Sequence, residues 1–173
     1  MNIIIRTALP EDFIILSELG KKTFYDTWRS VNTEEDMQDY MKEAFDPNKL
    51  KADIENGQTN TFLIAFGNNI PVGYVKLRRD RTYEEFKDDK VLELERIYVL
   101  KDWQDKKIGK LLMDQCLIIA ENEKHKWFWL GVNIDNIKAI NFYKRYDFTI
   151  FGEKSFKLGE AVDTDYLMKR KIF

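Results

Sequence analysis

The sequence predicts a mixed α/β (α+β) domain around a largely antiparallel sheet, and three observations carry that prediction. Two β-rich runs, 61–67 and 70–79, are separated only by Asn68 and Asn69, the pattern of a hairpin. An apolar extended run, "VLELERIYVL", passes through one turn into "IGKLLMDQCLIIA", where Ile108, Leu112, Cys116, Ile119 and Ala120 recur at helical spacing. Two further extended runs, "FTIFGEKSFKL" and "TDYLMKRKI", close the chain as a second hairpin.

The elements follow in order. "NIIIRTAL" reads as a first strand, and Pro10 with Glu11 and Asp12 supplies the proline and first-turn acids of a helix running towards Tyr25. Thr33, with Asp36 three residues on, opens a second helix, and "DPNKLKADIENG" is a third that Gly57 should end. After the first hairpin comes a charged loop, "RDRTYEEFKDDK", then the strand-turn-helix unit, the strand "KWFWLGVNI" and the short helix "NIKAINFYKRY". That makes seven strands, without repeat, low-complexity tract or linker.

Bulk properties narrow the function. A chain of 173 residues, 44% hydrophobic and 14% aromatic, suits one core, so a single domain spanning 1–173 is expected. Acids exceed bases by 30 to 28 with no basic block, which argues against nucleic acid as the main partner. The single Cys116 lies within a helical pattern, which offers neither a disulfide framework nor a metal-ligand spacing; a reducing cytoplasm and no metal are expected. "MNIIIRTALPEDF" is far short of a signal-peptide core or a membrane span, so a soluble, unprocessed protein is expected.

The turn Gln104–Lys110, "QDKKIGK", stands where α/β proteins often bind phosphate. A helix N-terminus offers unpaired N–H groups and partial positive charge, Gly109 permits close backbone approach, and Lys106, Lys107 and Lys110 outweigh Asp105. These seven residues alone are equally consistent with a solvated lysine turn and with a diphosphate site.

The surrounding residues decide between them by resemblance. "ERIYVLKDWQDKKIGKLLMD" resembles the cofactor motif of the GNAT superfamily of acetyl-CoA-dependent N-acetyltransferases, Gln/Arg-x-x-Gly-x-Gly/Ala, through Gln104 and Gly109, with Lys107 in place of the first glycine. "VNIDNIKAINFYKRYDF" resembles a second GNAT motif through Val132, Asn136, Ala139, Phe142, Tyr143 and Phe148, with Asp147 where glycine is usual. "TFYDTW", "NTEEDMQDYMKEAF", "KLKADI" and "LELERIYV" are similar to the PaiA-type spermidine/spermine N-acetyltransferases. The resemblance implies a GNAT-like mixed sheet of about seven strands with helices on both faces, and acetyl-CoA as cosubstrate. It implies cosubstrate contacts along Ile97, Tyr98 and Val99, in the turn at Gln104, Asp105, Lys106, Lys107, Ile108, Gly109 and Lys110, and at Asn136 and Tyr143. Tyr143 corresponds to the family tyrosine beside the thioester sulfur.

Acetyl transfer to an amine needs a neutral nucleophile, and an ammonium of pKa near 10.4 is neutral at pH 7 only about once in 2,500 molecules. Glu93 and Glu95 are the candidate bases: they alternate with Leu92 and Leu94 and share a face if the strand is regular. The resemblance favours Glu95. Tyr143 suits a general acid, since its ordinary pKa lies above that of a thiol. For the acceptor, residues 26–43 hold six acids against two bases, with Tyr25, Trp28 and Tyr40 interleaved. Such a run attracts a small polyamine through Tyr25, Trp28, Glu34, Glu35 and Glu95, or is a solvated helix face. His125 is expected to be solvated and without a role. Cys116, on a buried helical face, would be a poor acyl carrier, so direct attack in a ternary complex is favoured. The rivals are acetylation of another amine (an amino acid, an antibiotic or a protein N-terminus) and an acetyl-CoA-binding regulatory module without turnover. Homodimerisation is left open.

Overall fold

The computed structural model describes residues 2–173. Its strands are β1 (Ile3–Thr7), β2 (Asn60–Gly67), β3 (Ile70–Arg78), β4 (Val91–Val99), β5 (Trp127–Asn133), β6 (Thr149–Leu158) and β7 (Ala161–Lys171). Its α-helices are α1 (Phe13–Trp28), α2 (Glu34–Ala44), α3 (Pro47–Glu55), α4 (Ile108–Asn122) and α5 (Ile137–Lys144). The strands form one sheet in the order β1-β2-β3-β4-β5-β7-β6, antiparallel at every step except β4–β5. No described helix is long and apolar enough to cross a membrane.

Period-two alternation sorts the sheet's side chains into two cores. On β2, Leu63 and Ala65 face one way and pack with Ile108, Leu112, Met113 and Cys116 of α4 and Ile140 of α5. Phe62 and Ile64 face the other way and pack with Leu16 and Leu19 of α1, Met37 and Met41 of α2, and Leu50 of α3. Helices therefore cover both faces. A smaller apolar cluster of Phe86, Val91, Trp129 and Leu167 lies under the charged loop.

Local chemistry explains most boundaries. Asn68 and Asn69 both take positive φ (50° and 68°), as a twisted two-residue hairpin turn requires. The Thr33 hydroxyl accepts from Asp36 N–H, and Asp46 accepts from Lys49 N–H, capping α2 and α3. The first helix begins with one 3-10 turn at Pro10–Asp12, where buried Asp12 accepts from both terminal nitrogens of Arg6 and from Leu9 N–H.

Three expectations need correction. Gly57 does not end α3 through a left-handed cap: the helix stops at Glu55, Asn56 N–H donates to Ala52 O, and Gly57 stays outside the left-handed region. β4 is not regular, because it pairs Lys76 with Arg96 but Leu77 with Leu94, which leaves Glu95 as the extra residue of a bulge. His125 is not solvated but 1% exposed: the chain turns back after α4, and the ring bonds Glu123, whose carboxylate Arg79 clamps.

Two glycines make opposite predictions. A Cβ on Gly20 of α1 would sit 2.4 Å from the buried Phe45 ring, whereas one on Gly57 would meet nothing within 4 Å. Gly20→Ala should destabilise by about 1–3 kcal/mol through overpacking, and Gly57→Ala should be neutral or slightly stabilising. Urea unfolding of the two variants checks both.

Candidate active site

β4 and β5 are parallel and in register only from Val91↔Trp127 to Leu94↔Leu130. Beyond that row β4 continues to Val99 paired with β3, and β5 continues to Asn133 paired with β7, but the two no longer pair with each other. The bulge at Glu95 stands where they part. Between them opens a cleft of about 780 Å³, lined from β4, β5, α1, α2, α4, α5 and the β6–β7 hairpin. The β5-facing edge of Glu95–Val99 has no strand partner, so an extended chain of amides can lie against it.

One end of the cleft is the start of α4. Leu111 N–H is the first to bond within the helix, to Lys107 O, leaving the amides of Ile108, Gly109 and Lys110 without intrahelical acceptors. The chain enters through Asp105 and Lys107, both at φ 63°. Lys107 thus adopts the left-handed conformation that glycine takes at least cost. Asp147, the other residue standing where the resemblance has glycine, does the same at φ 61°. Gln104, Asp105, Lys107, Ile108, Gly109 and Lys110 line the cleft, as do Ile97, Tyr98 and Val99. Lys106 does not: its ammonium donates to Asp102 O and sits over the Trp103 ring, 4.8 Å from the centroid. Lys138 of α5 and Arg145, which follows its last residue, line the cleft instead, seven residues apart on one helical face. That spacing was present in the sequence as a signal for them.

α5 sets the next two residues. The Asn136 side-chain oxygen accepts from Ala139 N–H, so this residue caps the helix while facing the cleft. Two turns on, Tyr143 is 7% exposed, packed against Phe142 and Phe148, and lines the cleft. Among the described residues its hydroxyl has no protein partner. Burial pushes its pKa up, so it carries its proton throughout the neutral range.

Glu93 and Glu95 both line the cleft, two residues apart on the face opposite Leu92 and Leu94, and the extra residue of the bulge brings Arg96 beside them. Their surroundings differ. Glu93 is 2% exposed; its Oε1 accepts from Arg81 at 3.4 Å, and its Oε2 is buried without a partner. Burial raises its pKa, and the Arg81 charge only partly offsets this. Burial acts on Glu95 in the same direction, but Lys76 at 3.2 Å, Arg78 at 3.6 Å and Arg96 at 3.9 Å outweigh it and hold the carboxyl below its ordinary value. Lys76 is in turn bound to Asp53 at 2.8 Å.

The acceptor residues divide. Trp28 lines the cleft, and its indole donates to Tyr98 Oη at 3.5 Å. Tyr25, Glu34 and Glu35 are not among the cleft-lining residues: Met37 and Met41 form the buried face of α2, so the acids of its first turn face out. Tyr25 donates to Glu34 on that outer surface. Asp165 of β7 is the acid that sequence reasoning missed; it lines the cleft opposite Lys154 in register, and burial raises its pKa. Acids in an alternating hairpin strand carry no signal of which cavity they face. Cys116 is buried under α4, and burial pushes its thiol pKa up.

Comparison with known proteins agrees with this geometry. The model of the acetyltransferase (GNAT) family matches residues 22–148. An uncharacterised N-acetyltransferase of Lactobacillus delbrueckii subsp. lactis is 34% identical over 168 residues, 95% of this chain and 92% of the relative. The spermidine N(1)-acetyltransferase of Thermoplasma acidophilum is 25% identical, covering 99% of this chain and 98% of the relative. The crystal structure of the PaiA N-acetyltransferase from Thermoplasma acidophilum in complex with coenzyme A superposes with a TM-score of 0.80, 25% identity and 99% of both chains covered.

The start of α4 yields a paired prediction. A Cβ on Gly109 meets no protein atom within 4 Å, so Gly109→Val should fold normally yet crowd the cleft and raise the Kd for coenzyme A. Lys107→Gly relieves a left-handed lysine and should raise the stability of the unliganded protein by up to about 1 kcal/mol. Calorimetric titration and thermal melts distinguish the two effects; unchanged affinity in Gly109→Val would remove this turn from the cosubstrate site.

Proposed function

The chain belongs to the GNAT family and is an acetyl-CoA-dependent N-acetyltransferase, and on that premise we propose that it passes acetyl directly to a primary amine of a small polyamine. The observation that carries the reading of the chemistry is the pairing, in one cleft, of an unpartnered Tyr143 hydroxyl with an unpartnered Glu93 carboxylate oxygen. Acetyl-CoA supplies an activated acyl group and a thiolate leaving group; the chain must take one proton and give one. Glu93 is the better acceptor, because a raised pKa brings it closer to the amine it must deprotonate. Glu95, held ionised by its three cations, contributes fixed negative charge that favours an ammonium at the cleft. Tyr143 is the proton donor to sulfur. The β4 edge from Ile97 to Val99 and the turn from Gln104 to Lys110 hold the cosubstrate, with Asn136 beside them.

For the acceptor, the support is the likeness along the whole chain to a spermidine N(1)-acetyltransferase, together with Glu93, Glu95 and Asp165 lining the cleft. Trp28 and Tyr40 add aromatic faces that suit a cationic chain. No acyl-enzyme is required, and buried Cys116 is unsuited to form one.

Two variants test the roles. Tyr143→Phe keeps the ring packed against Phe148, so coenzyme A affinity should hold while kcat falls about 10²–10⁴-fold; single-turnover transfer at the wild-type rate would make Tyr143 a packing residue only. Glu93 must be ionised to accept a proton, so kcat/KM should decline as pH falls through its raised pKa. Glu93→Gln should lower the rate and abolish that acid limb; an intact limb would assign it to another group.

A further inference from the structure

Glu95 and Arg96 are consecutive residues at the β4 bulge, and both line the acceptor half of the cleft. Four cations gather around Glu93 and Glu95, and three have carboxylates to bond. Lys76 donates to Asp53 at 2.8 Å, Arg78 to Asp80 at 2.6 and 2.9 Å, and Arg81 to Glu93 at 3.4 Å. Arg96 has none. Its side chain is 13% exposed and its nearest carboxylate oxygen, Glu95 Oε1, lies 3.9 Å away. Among the described residues its guanidinium makes no hydrogen bond, and the Phe45 ring packs against it, 4.7 Å from the centroid.

A guanidinium that lines the cleft with five donors and no protein acceptor is open to whatever enters the cleft and can supply acceptors. Its planar fork matches one group above all, a carboxylate bound through two parallel hydrogen bonds. The polyamine of the preceding subsection has no such group and leaves this fork without a partner. Beyond Arg96 the cleft is walled by Phe24, Trp28, Tyr40 and Phe156, surfaces for an apolar chain.

We infer that the cleft recognises a second class of acceptor, an amine that carries its own carboxylate close by, as in an amino acid. The carboxylate sits on the Arg96 fork and the adjoining amino group lies at Glu95 and Glu93; the 3.9 Å between Glu95 and Arg96 fits a molecule whose two charges are only a few bonds apart. The aromatic wall takes the side chain. The chemical step is the same transfer: the new N–C bond forms as the C–S bond breaks, the amine's proton leaves to carboxylate, and the thiolate is protonated.

The inference rests on the N-acetyltransferase reading, and matched acceptors separate the two. Coenzyme A release is measured with phenylalanine against phenethylamine and lysine against cadaverine, with spermidine alongside. The carboxylate-bearing member of each pair should have the higher kcat/KM. Arg96→Gln should erase that preference by raising its KM roughly 10-fold or more, the scale of a lost charge-assisted pair, and should shift the KM of the decarboxylated partner far less. Arg96→Lys, which keeps the charge but not the fork, should fall between, and thermal melts confirm that both variants fold. Preference for the decarboxylated member in both pairs, or an equal loss for both members in Arg96→Gln, would overturn the inference. Release with no amine at all would sink the polyamine reading; phenylalanine binding to the enzyme–coenzyme A complex, by calorimetry, still judges Arg96, upheld if binding is lost in Arg96→Gln and refuted if it persists.

Discussion

The site depends on a single failure of pairing. Two parallel strands that meet over four rows and then separate leave an unpaired edge in the middle of a sheet, where sheets normally have none. The extra residue in β4 stands where the separation begins, turning that strand while β3 still holds its other side. Everything chemically notable lies at that opening. α4 begins where β4 ends, so its amides face the gap, and α5 follows β5, so Tyr143 enters from the other side.

Charge is distributed in keeping with that geometry. The acceptor half brings Glu93, Glu95 and Asp165 together with Arg81, Arg96 and Lys154, so it is strongly polar without a net sign. The two carboxylates differ because their neighbours differ. Glu95 is surrounded by cations and Glu93 is walled off from water with one oxygen unused, and these two arrangements push otherwise identical side chains in opposite directions.

Much of this was legible before any coordinate. The Asn68-Asn69 turn, the Thr33 cap and the helical face of α4 rest on interactions within a few residues, which sequence encodes directly. What escaped depends on distant partners. The bulge at Glu95 is defined by the register with β3, the burial of His125 by Arg79 forty-six residues away and by Glu123, and the place of Asp165 by a hairpin folding over the cleft. The acidic run of α2 misled for the same reason: charge is visible in sequence, but the face it occupies is set by Met37 and Met41. The end of the cleft at the start of α4 is one contiguous turn in the sequence, whereas the other end is assembled from α1, α2, β4 and the last hairpin.

The short seam between β4 and β5 also has a mechanical meaning. β1–β4 form one plate and β5, β7 and β6 another, and among the described residues the strand pairing between them runs only from Val91 to Leu94, with Lys126 N–H on Lys90 O just before it. A molecule lying in the gap against both plates acts as a splint. Occupancy then adds to the rigidity of the whole sheet, about 2.7 kcal/mol at a concentration one hundred times its dissociation constant. A ligand held there would therefore bear on how firmly this protein holds together as well as on what fills its cleft.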